Sequence, residues 1–310
     1  MKASVCAIGL DVGGTKIAGG LVTPDGKVLS RRSIPTLPGR GGGAVLDDAL
    51  ALAALLQEEA MAAGRSALAI GIGVCELVDL QGNIYSGQTV PWRGVPVRER
   101  FAALAPTLVE ADSRAAAFCE ARFGAGKNHR IFLYVTVGTG IGSSLVLDGV
   151  PYAGAHGATG TLASSPLTSR CEECGATLRP VLERIAAGPA LATRYNELAA
   201  RKVDRGEEVL AAASAGDRHA IRVVETAGEA LGATIGLMVN MLDPEAVIVG
   251  GGLGMAGGLY WESFLASTRR HIWSDRHRDV PMVTAAYGSE AGFVGAAALA
   301  LQRGAALLKS

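Results

Sequence analysis

The chain has no excess charge of either sign, because lysine and arginine together number 29 and so do aspartate and glutamate. A balanced charge without a long basic block offers no electrostatic footprint for nucleic acid or for an anionic membrane. Long apolar runs are missing as well, since no stretch of about 18 residues is free of both glycine and charge. The sequence therefore predicts neither a membrane span nor a nucleic-acid-binding protein.

Cysteine is scarce and scattered, with five residues in a chain of 310. An odd number spread over this length argues against a disulfide framework and fits a reducing compartment. The first residues also lack the layout of a signal peptide, because Lys2 leads directly into a short apolar run that meets Asp11. With 49% hydrophobic and 19% charged residues, we expect a globular, cytoplasmic protein of one large domain or two ordinary ones.

The opening stretch carries the first chemical signal. An apolar run stops at Asp11, turns through Gly13 and Gly14, presents Thr15 and Lys16, and resumes as a second apolar run. This pattern predicts two strands around a polar tip. Glycines at such a tip let backbone N–H groups approach an anion, and the hydroxyl and ammonium groups add donors. The alternative from the residues alone is a tight hairpin with a solvated lysine.

The same organisation returns twice. A strand predicted at 130–137 ends in a second glycine tip, and a strand predicted at 246–249 ends in a third. The residues of these two tips are Gly138, Thr139 and Gly140, and Gly250, Gly251 and Gly252. Two tips facing each other across a cleft would hold a phosphate chain from both sides.

Between the tips, strands alternate with helices, which predicts an α/β protein with sheets covered on both faces. Helices are predicted, among other places, at 44–63, about 180–200, 206–215 and 218–242. Residues 33–43 are rich in proline, glycine and arginine and are predicted to form a loop.

Three glycine tips in this order resemble the actin-like sugar kinase superfamily, and nearly the whole chain is similar to its ROK branch (repressors, open reading frames, kinases). The resemblance implies a two-domain, actin-like ATPase (ribonuclease H-like) α/β fold with the active site in the interdomain cleft. It implies a small N-terminal domain at 1–115 and a larger one at 116–291, with a C-terminal helix at about 292–310 packing back on the first. A homodimer is expected by the same resemblance.

The resemblance also implies an activity, the ATP-dependent phosphorylation of a hydroxyl on a sugar or sugar-like small molecule. Asp11 would hold a hydrated Mg²⁺ ion, and Asp112 would act as the general base that takes the proton of the attacking hydroxyl. The alternative for Asp112 is a helix N-cap, a role that aspartate often fills. The phosphates of ATP would contact Gly13, Gly14, Thr15, Lys16, Gly138, Thr139 and Gly140, with Gly250, Gly251 and Gly252 on the adenosine side.

The acceptor side departs from the family pattern. Ala111 stands where the family places an asparagine, and Thr161 and Ser164 stand where it places a sugar-binding glutamate and a histidine. Glu183 matches the last sugar-contacting carboxylate of the family, although it could be an exposed helix glutamate. These replacements argue against glucose as the acceptor, and the rival hypothesis is a catalytically weak sensor of nucleotide or sugar.

Two further departures concern charge and metal. Glu76 replaces part of a Pro-Gly turn, and it either pairs with an amine of the acceptor, such as an amino sugar or cyclitol, or faces solvent. In place of the three zinc-binding cysteines of the family, this chain has only Cys171 and Cys174, at a different spacing. Tetrahedral zinc requires four ligands, so we do not expect a structural zinc ion.

Overall fold

The computed structural model describes residues 4–167, 169–170, 174–175, 177–178 and 180–307. Contacts divide the chain into two compact units. The first unit comprises the chain up to Asn128, the segment Ser144–Thr159 and the chain from Ser289 onward; the second comprises His129–Ser143 and Gly160–Gly288. The domain boundaries expected from the sequence, at 115/116 and 291/292, stay a prediction.

Strands and helices alternate along the described chain. The strands are β1 (Ser4–Val12), β2 (Lys16–Val22), β3 (Val28–Pro35), β4 (Arg65–Val74), β5 (Thr107–Ala111), β6 (Ile131–Val137), β7 (Ile141–Leu147), β8 (Val150–Pro151), β9 (Ser169–Arg170), β10 (Thr177–Leu178), β11 (Ala246–Gly250) and β12 (Met282–Thr284). The helices are α1 (Gly42–Ala62), α2 (Val97–Ala102), α3 (Asp112–Phe123), α4 (Glu183–Ala186), α5 (Gly188–Leu198), α6 (Gly206–Ser214), α7 (Arg218–Leu242), α8 (Gly258–His271) and α9 (Ala291–Leu307).

The first sheet has the strand order β3-β2-β1-β4-β5. β1 pairs antiparallel with β2 and parallel with β4, and β5 continues the parallel part. β3 corrects the loop predicted at 33–43, because residues 33–35 belong to this edge strand. Its middle residues are exposed and it ends at Pro35, a composition that edge strands tolerate and that hides the apolar alternation of a buried strand.

Helix α9 packs directly on the backbone of the first sheet. A Cβ atom on Gly9 would lie 1.9 Å from the carbonyl oxygen of Phe293, and one on Gly71 would lie 1.9 Å from that of Ala296. On another side of α9, a Cβ atom on Gly295 would come within 1.8 Å of the carbonyl oxygen of Ala115 in α3. Glycine at these positions therefore allows the backbones of β1, β4 and α3 to lie in direct contact with the backbone of α9.

The second unit is built on β6, β11 and β12, which pair in parallel. Helix α7 has the bounds predicted from the sequence, and Asp217 caps it by accepting from the N–H groups of His219 and Ala220 at 2.8 and 3.1 Å. α7 packs closely on α8, because Cβ atoms on Gly228 and Gly232 would clash with the α8 backbone.

No helix in the described parts of the chain combines the length and the apolar character that crossing a bilayer requires.

Candidate active site

The first glycine tip is the turn between β1 and β2, as predicted. The N–H of Gly13 donates to the carbonyl oxygen of Lys16 at 3.0 Å, which closes the turn. Thr36 braces it from outside, because its hydroxyl donates to Gly13 O at 2.7 Å and its N–H donates to Thr15 O at 3.1 Å. Thr15 and Lys16 are exposed at the tip. The backbone of the tip is therefore fixed before any ligand binds.

Asp11 lies at the end of β1, against the first turn of α9. A Cβ atom on Gly292 would be 2.4 Å from a carboxylate oxygen of Asp11, so only glycine leaves room for this carboxylate. Burial raises the pKa of Asp11 to about 6, and the charge of Lys16 opposes the shift. The group is therefore ionised at neutral pH. Sequence reasoning gave Gly292 no role, and its only signal was a small residue at the start of a helix.

Asp112 is the first residue of α3, directly after β5. The N-cap of α3 is Ala111, which offers no side-chain hydrogen bond. A capping aspartate accepts from an N–H group two or three residues further on, whereas Asp112 accepts from the next residue, Ser113. The N-cap interpretation of Asp112 is therefore wrong, and its second carboxylate oxygen is not used to cap the helix.

The surroundings of Asp112 raise its pKa to about 7. Burial is the largest cause, and the negative charges of Asp11 and Glu76 act in the same direction. The hydrogen bond from Ser113 and the positive charge of Arg114 act against them. A carboxylate with such a pKa can accept a proton near neutral pH, which is the property required of a general base.

Arg114 is a buried cation that the sequence analysis did not single out. Its guanidinium pairs with Glu110, with 2.7 Å between Nε and the carboxylate oxygen. The other nitrogens donate to the carbonyl oxygens of Gly157 at 2.7 Å and Val78 at 2.8 Å. One side chain thus ties two loops to the helix that carries Asp112. The i, i+4 spacing of Glu110 and Arg114 was the only signal in the sequence.

Glu76 does not face solvent, and that interpretation was wrong. The residue is 6% exposed. Its carboxylate accepts from the N–H groups of Gln88, Thr89 and Val90 at 3.0, 2.7 and 3.0 Å, and from the hydroxyl of Ser86. Each of the two carboxylate oxygens of Glu76 thus accepts two hydrogen bonds from the protein itself. A contact between Glu76 and an acceptor stays a prediction.

In the second unit, the tip at the end of β6 is closed by the N–H of Gly138, which donates to Gly140 O at 2.9 Å. Glu183 is partly buried and accepts from the N–H of Ile141 at 3.0 Å. A Cβ atom on Gly140 would be 2.7 Å from the same carboxylate. The interpretation of Glu183 as an exposed helix glutamate is therefore wrong, since it braces the second glycine tip.

The third tip lies beside the second. Gly251 has φ of +81°, and a Cβ atom on it would lie 2.3 Å from the carbonyl oxygen of Val137, the residue before Gly138. The N–H groups of Leu253 and Gly254 both donate to Val137 O at 3.0 Å. Glycine is required here by the left-handed backbone and by this close approach. The structure thus brings Gly138–Gly140 and Gly250–Gly252 together in the second unit.

Thr161 precedes a short 3-10 turn, Ser164 is its last residue, and both are exposed. The N–H of Leu182 donates to the carbonyl oxygen of Ser165 at 3.1 Å, which joins this turn to the start of α4 and so to Glu183. The structure therefore places these three predicted acceptor-side residues in neighbouring segments of the second unit.

Cys174 is exposed and not in a disulfide, whereas Cys171 lies outside the described residues. Within the described ranges, no three side chains of the kinds that bind metal are grouped as a metal site. The described residues therefore do not test whether Cys171 and Cys174 bind zinc.

The sequence pattern of the ROK family matches residues 7–303. The chain belongs to the ROK family. ROK relatives include a glucokinase of Streptomyces coelicolor, 33% identical over 94% of this chain and 96% of that protein. An N-acetylmannosamine kinase of Citrobacter koseri is 30% identical over 94% of this chain and 98% of that protein.

Solved ROK structures have the same fold. A ROK family glucokinase from Streptomyces griseus in complex with glucose and AMPPNP superposes with a TM-score of 0.82, at 30% identity, covering 96% of this chain and 99% of that one. A ROK hexokinase from Thermus thermophilus gives a TM-score of 0.76 at 34% identity, covering 96% and 98%. The predicted actin-like α/β fold is thereby confirmed.

Proposed function

We propose that the chain transfers the γ-phosphoryl group of ATP to a hydroxyl of a sugar or sugar-like small molecule, with Asp112 as the general base. The class of enzyme, an ATP-dependent carbohydrate kinase, is confirmed by the ROK glucokinases and the N-acetylmannosamine kinase described above. The base and the identity of the acceptor are proposals.

The pKa of Asp112, raised to about 7, carries the proposal for the base. Phosphoryl transfer needs little covalent chemistry from the protein, and catalysis rests on positioning and on charge stabilisation. As the acceptor oxygen approaches phosphorus, its proton becomes acidic and passes to the carboxylate of Asp112. The N-cap of α3 is Ala111, so the carboxylate of Asp112 does not cap the helix. One of its oxygens accepts from the N–H of Ser113, and the other is not used to cap α3.

On the donor side, Asp11 fits a magnesium ion, because it is an oxygen ligand that is ionised at neutral pH. When bound, Mg²⁺ would neutralise charge on the phosphates. The N–H groups of the first two glycine tips other than those of Gly13 and Gly138, which are bonded internally, would hold the phosphates of ATP together with the side chains of Thr15 and Lys16. Gly250–Gly252 would lie on the adenosine side. The fixed geometry of the tips supports this role, since their turns are closed by internal hydrogen bonds.

On the acceptor side, Ala111 brings no polar group, and Thr161 and Ser164 bring hydroxyls in place of longer side chains. These residues support an acceptor other than glucose, among hexoses and cyclitols. The internal bonding of Glu76 removes the support for an amine-bearing acceptor. Glu183, next to the second tip, is proposed to contact the acceptor from the second unit. The homodimer and the cytoplasmic location stay predictions.

The test is ATP turnover against a panel of glucose, N-acetylmannosamine, other hexoses, amino sugars and cyclitols. We expect turnover with at least one acceptor, and a loss of roughly 100-fold or more in kcat in the Asp112→Asn variant. ATP binding, measured by calorimetry, should be retained in the variant. ATP binding without turnover of any acceptor would instead favour the sensor.

A further inference from the structure

The partners of the Glu76 carboxylate all lie in one short segment, Ser86–Val90. Three backbone N–H groups and one hydroxyl of this segment donate to the two carboxylate oxygens. The hydroxyl of Ser86 also accepts from the N–H of Leu77 at 2.8 Å, so the residue after Glu76 is fastened to the same segment. Hydrogen bonds to an ionised acceptor are among the strongest in proteins. The Glu76 carboxylate therefore holds the Ser86–Val90 segment in its conformation.

The fastened segment reaches the first glycine tip. A Cβ atom on Gly14 would lie 2.5 Å from the methyl carbon of Thr89, so the methyl group of Thr89 lies directly on Gly14. The side chain of Thr89 is also hydrogen-bonded to Cys75, the residue before Glu76. The orientation of Thr89 is thus determined from both sides.

We propose that Glu76 is a positioning residue for phosphoryl transfer, which holds Ser86–Val90 so that Thr89 closes on Gly14 of the first phosphate tip. This proposal rests on the kinase activity proposed above. Its physical basis is that a displacement of the reacting groups by about 1 Å lowers the rate by up to about 10²-fold. Glutamine cannot replace the carboxylate, because its NH₂ group would face N–H or O–H donors of the segment.

The decisive variant is Glu76→Gln, compared with the matched control Glu120→Gln. Glu120 is also fully buried, and its carboxylate accepts from a loop N–H, that of Ala125, at 2.8 Å. It lies eight residues along α3 from Asp112, about 12 Å away by the helical rise. We expect Glu76→Gln to lower kcat by roughly 10- to 100-fold. Glu120→Gln should lower the melting temperature but keep kcat.

Direct calorimetry should show that the Kd for ATP changes by less than about 3-fold in Glu76→Gln, because Thr36 still braces the first tip. Amide hydrogen exchange gives a reading that does not depend on turnover. The amides of Gln88, Thr89 and Val90 should exchange at least about 10-fold faster in Glu76→Gln, and at the wild-type rate in Asp112→Asn.

If Glu76→Gln does not fold, Thr89→Ser supplies the test, since it removes only the methyl group on Gly14 and should also lower kcat. Wild-type kcat in Glu76→Gln, or an equal loss in Glu120→Gln, would overturn the positioning role. Wild-type protein that phosphorylates no acceptor would instead overturn the proposed function, and the two failures are thereby distinct.

Discussion

At the scale of single residues, burial is the largest cause of the raised pKa of Asp112 at the start of α3, and three charged neighbours adjust that pKa further. Asp11 comes from the end of β1, Glu76 follows β4, and Arg114 lies two residues further along α3 itself. The first two raise the pKa of Asp112 and the third lowers it. The balance leaves a carboxylate that titrates near neutrality, which few surface aspartates do.

The first prediction concerns the pH dependence of catalysis. Because the pKa of Asp112 is raised to about 7, the base is protonated and inactive below that pH. We expect kcat/KM to rise with pH through an apparent pKa near 7 and then to level off. Initial rates between pH 5 and 9 at sub-saturating MgATP would measure it, because kcat/KM then reports the groups of the free enzyme. A profile flat down to pH 5 would exclude Asp112 as a base with this pKa.

The second prediction concerns Arg114. Arg114→Met leaves the partly buried Glu110 without its partner, which costs up to roughly 3 to 5 kcal/mol of unfolding free energy. It also removes the cation that lowers the pKa of Asp112, so the acidic limb of the pH–rate profile should move to higher pH. Arg114→Lys should restore the position of that limb, because the positive charge is kept. It should restore only part of the free energy of unfolding, because an ammonium group cannot reach all three partners of Arg114. Denaturant unfolding and pH–rate profiles of both variants would check this, and an unmoved limb in Arg114→Met would contradict it.

Some of this site could be predicted from the sequence and some could not. The positions of Asp11 and Asp112 at strand ends follow from apolar runs that stop at a carboxylate. The bonding of Glu76 does not, because three of its partners are backbone N–H groups 12 to 14 residues further on, and every residue type except proline supplies such a group. The same holds for Glu183 and the N–H of Ile141.

At the scale of secondary-structure elements, close packing through glycine determines where α9 lies. The third prediction compares two glycines within helices. Gly295→Ala places a Cβ atom 1.8 Å from the carbonyl oxygen of Ala115, so α3 and α9 must separate, at a cost of about 2 kcal/mol or more. Gly43→Ala in α1 meets no atom within 4 Å and should instead stabilise the protein by about 0.5 kcal/mol. Thermal unfolding of the two variants measures the difference, and equal effects would show that α9 can shift freely.

Elements with strong periodicity were predicted well. The helix predicted at 218–242 has the bounds of α7, and the helix predicted at 44–63 is α1 (Gly42–Ala62). The helix predicted at about 180–200 is divided into α4 and α5. β3 was missed, because an edge strand with exposed arginines carries little apolar alternation. The order of strands in each sheet did not follow from local pattern, since it depends on pairing between strands far apart in the chain, such as β1 with β4 and β6 with β11.

At the scale of the whole molecule, each unit has a core of its own. Leu52 belongs to the cluster of the first unit and Leu231 to that of the second. The fourth prediction is that Leu52→Ala and Leu231→Ala each lower the free energy of unfolding by about 2 to 5 kcal/mol. In calorimetry, each variant should lower the midpoint of a different unfolding transition. A single transition that both variants shift equally would show one cooperative unit.

The position of α9 also bears on how the chain folds while it is being made. Gly9 and Gly71 are covered by α9, whose residues are synthesised about 280 positions after β1. At about 5 to 20 residues per second, the first strands wait roughly 15 to 60 s in the nascent chain for the helix that covers them. The second unit, whose segments emerge in between, can complete its core earlier. The part of the protein made first is therefore the part that finishes last.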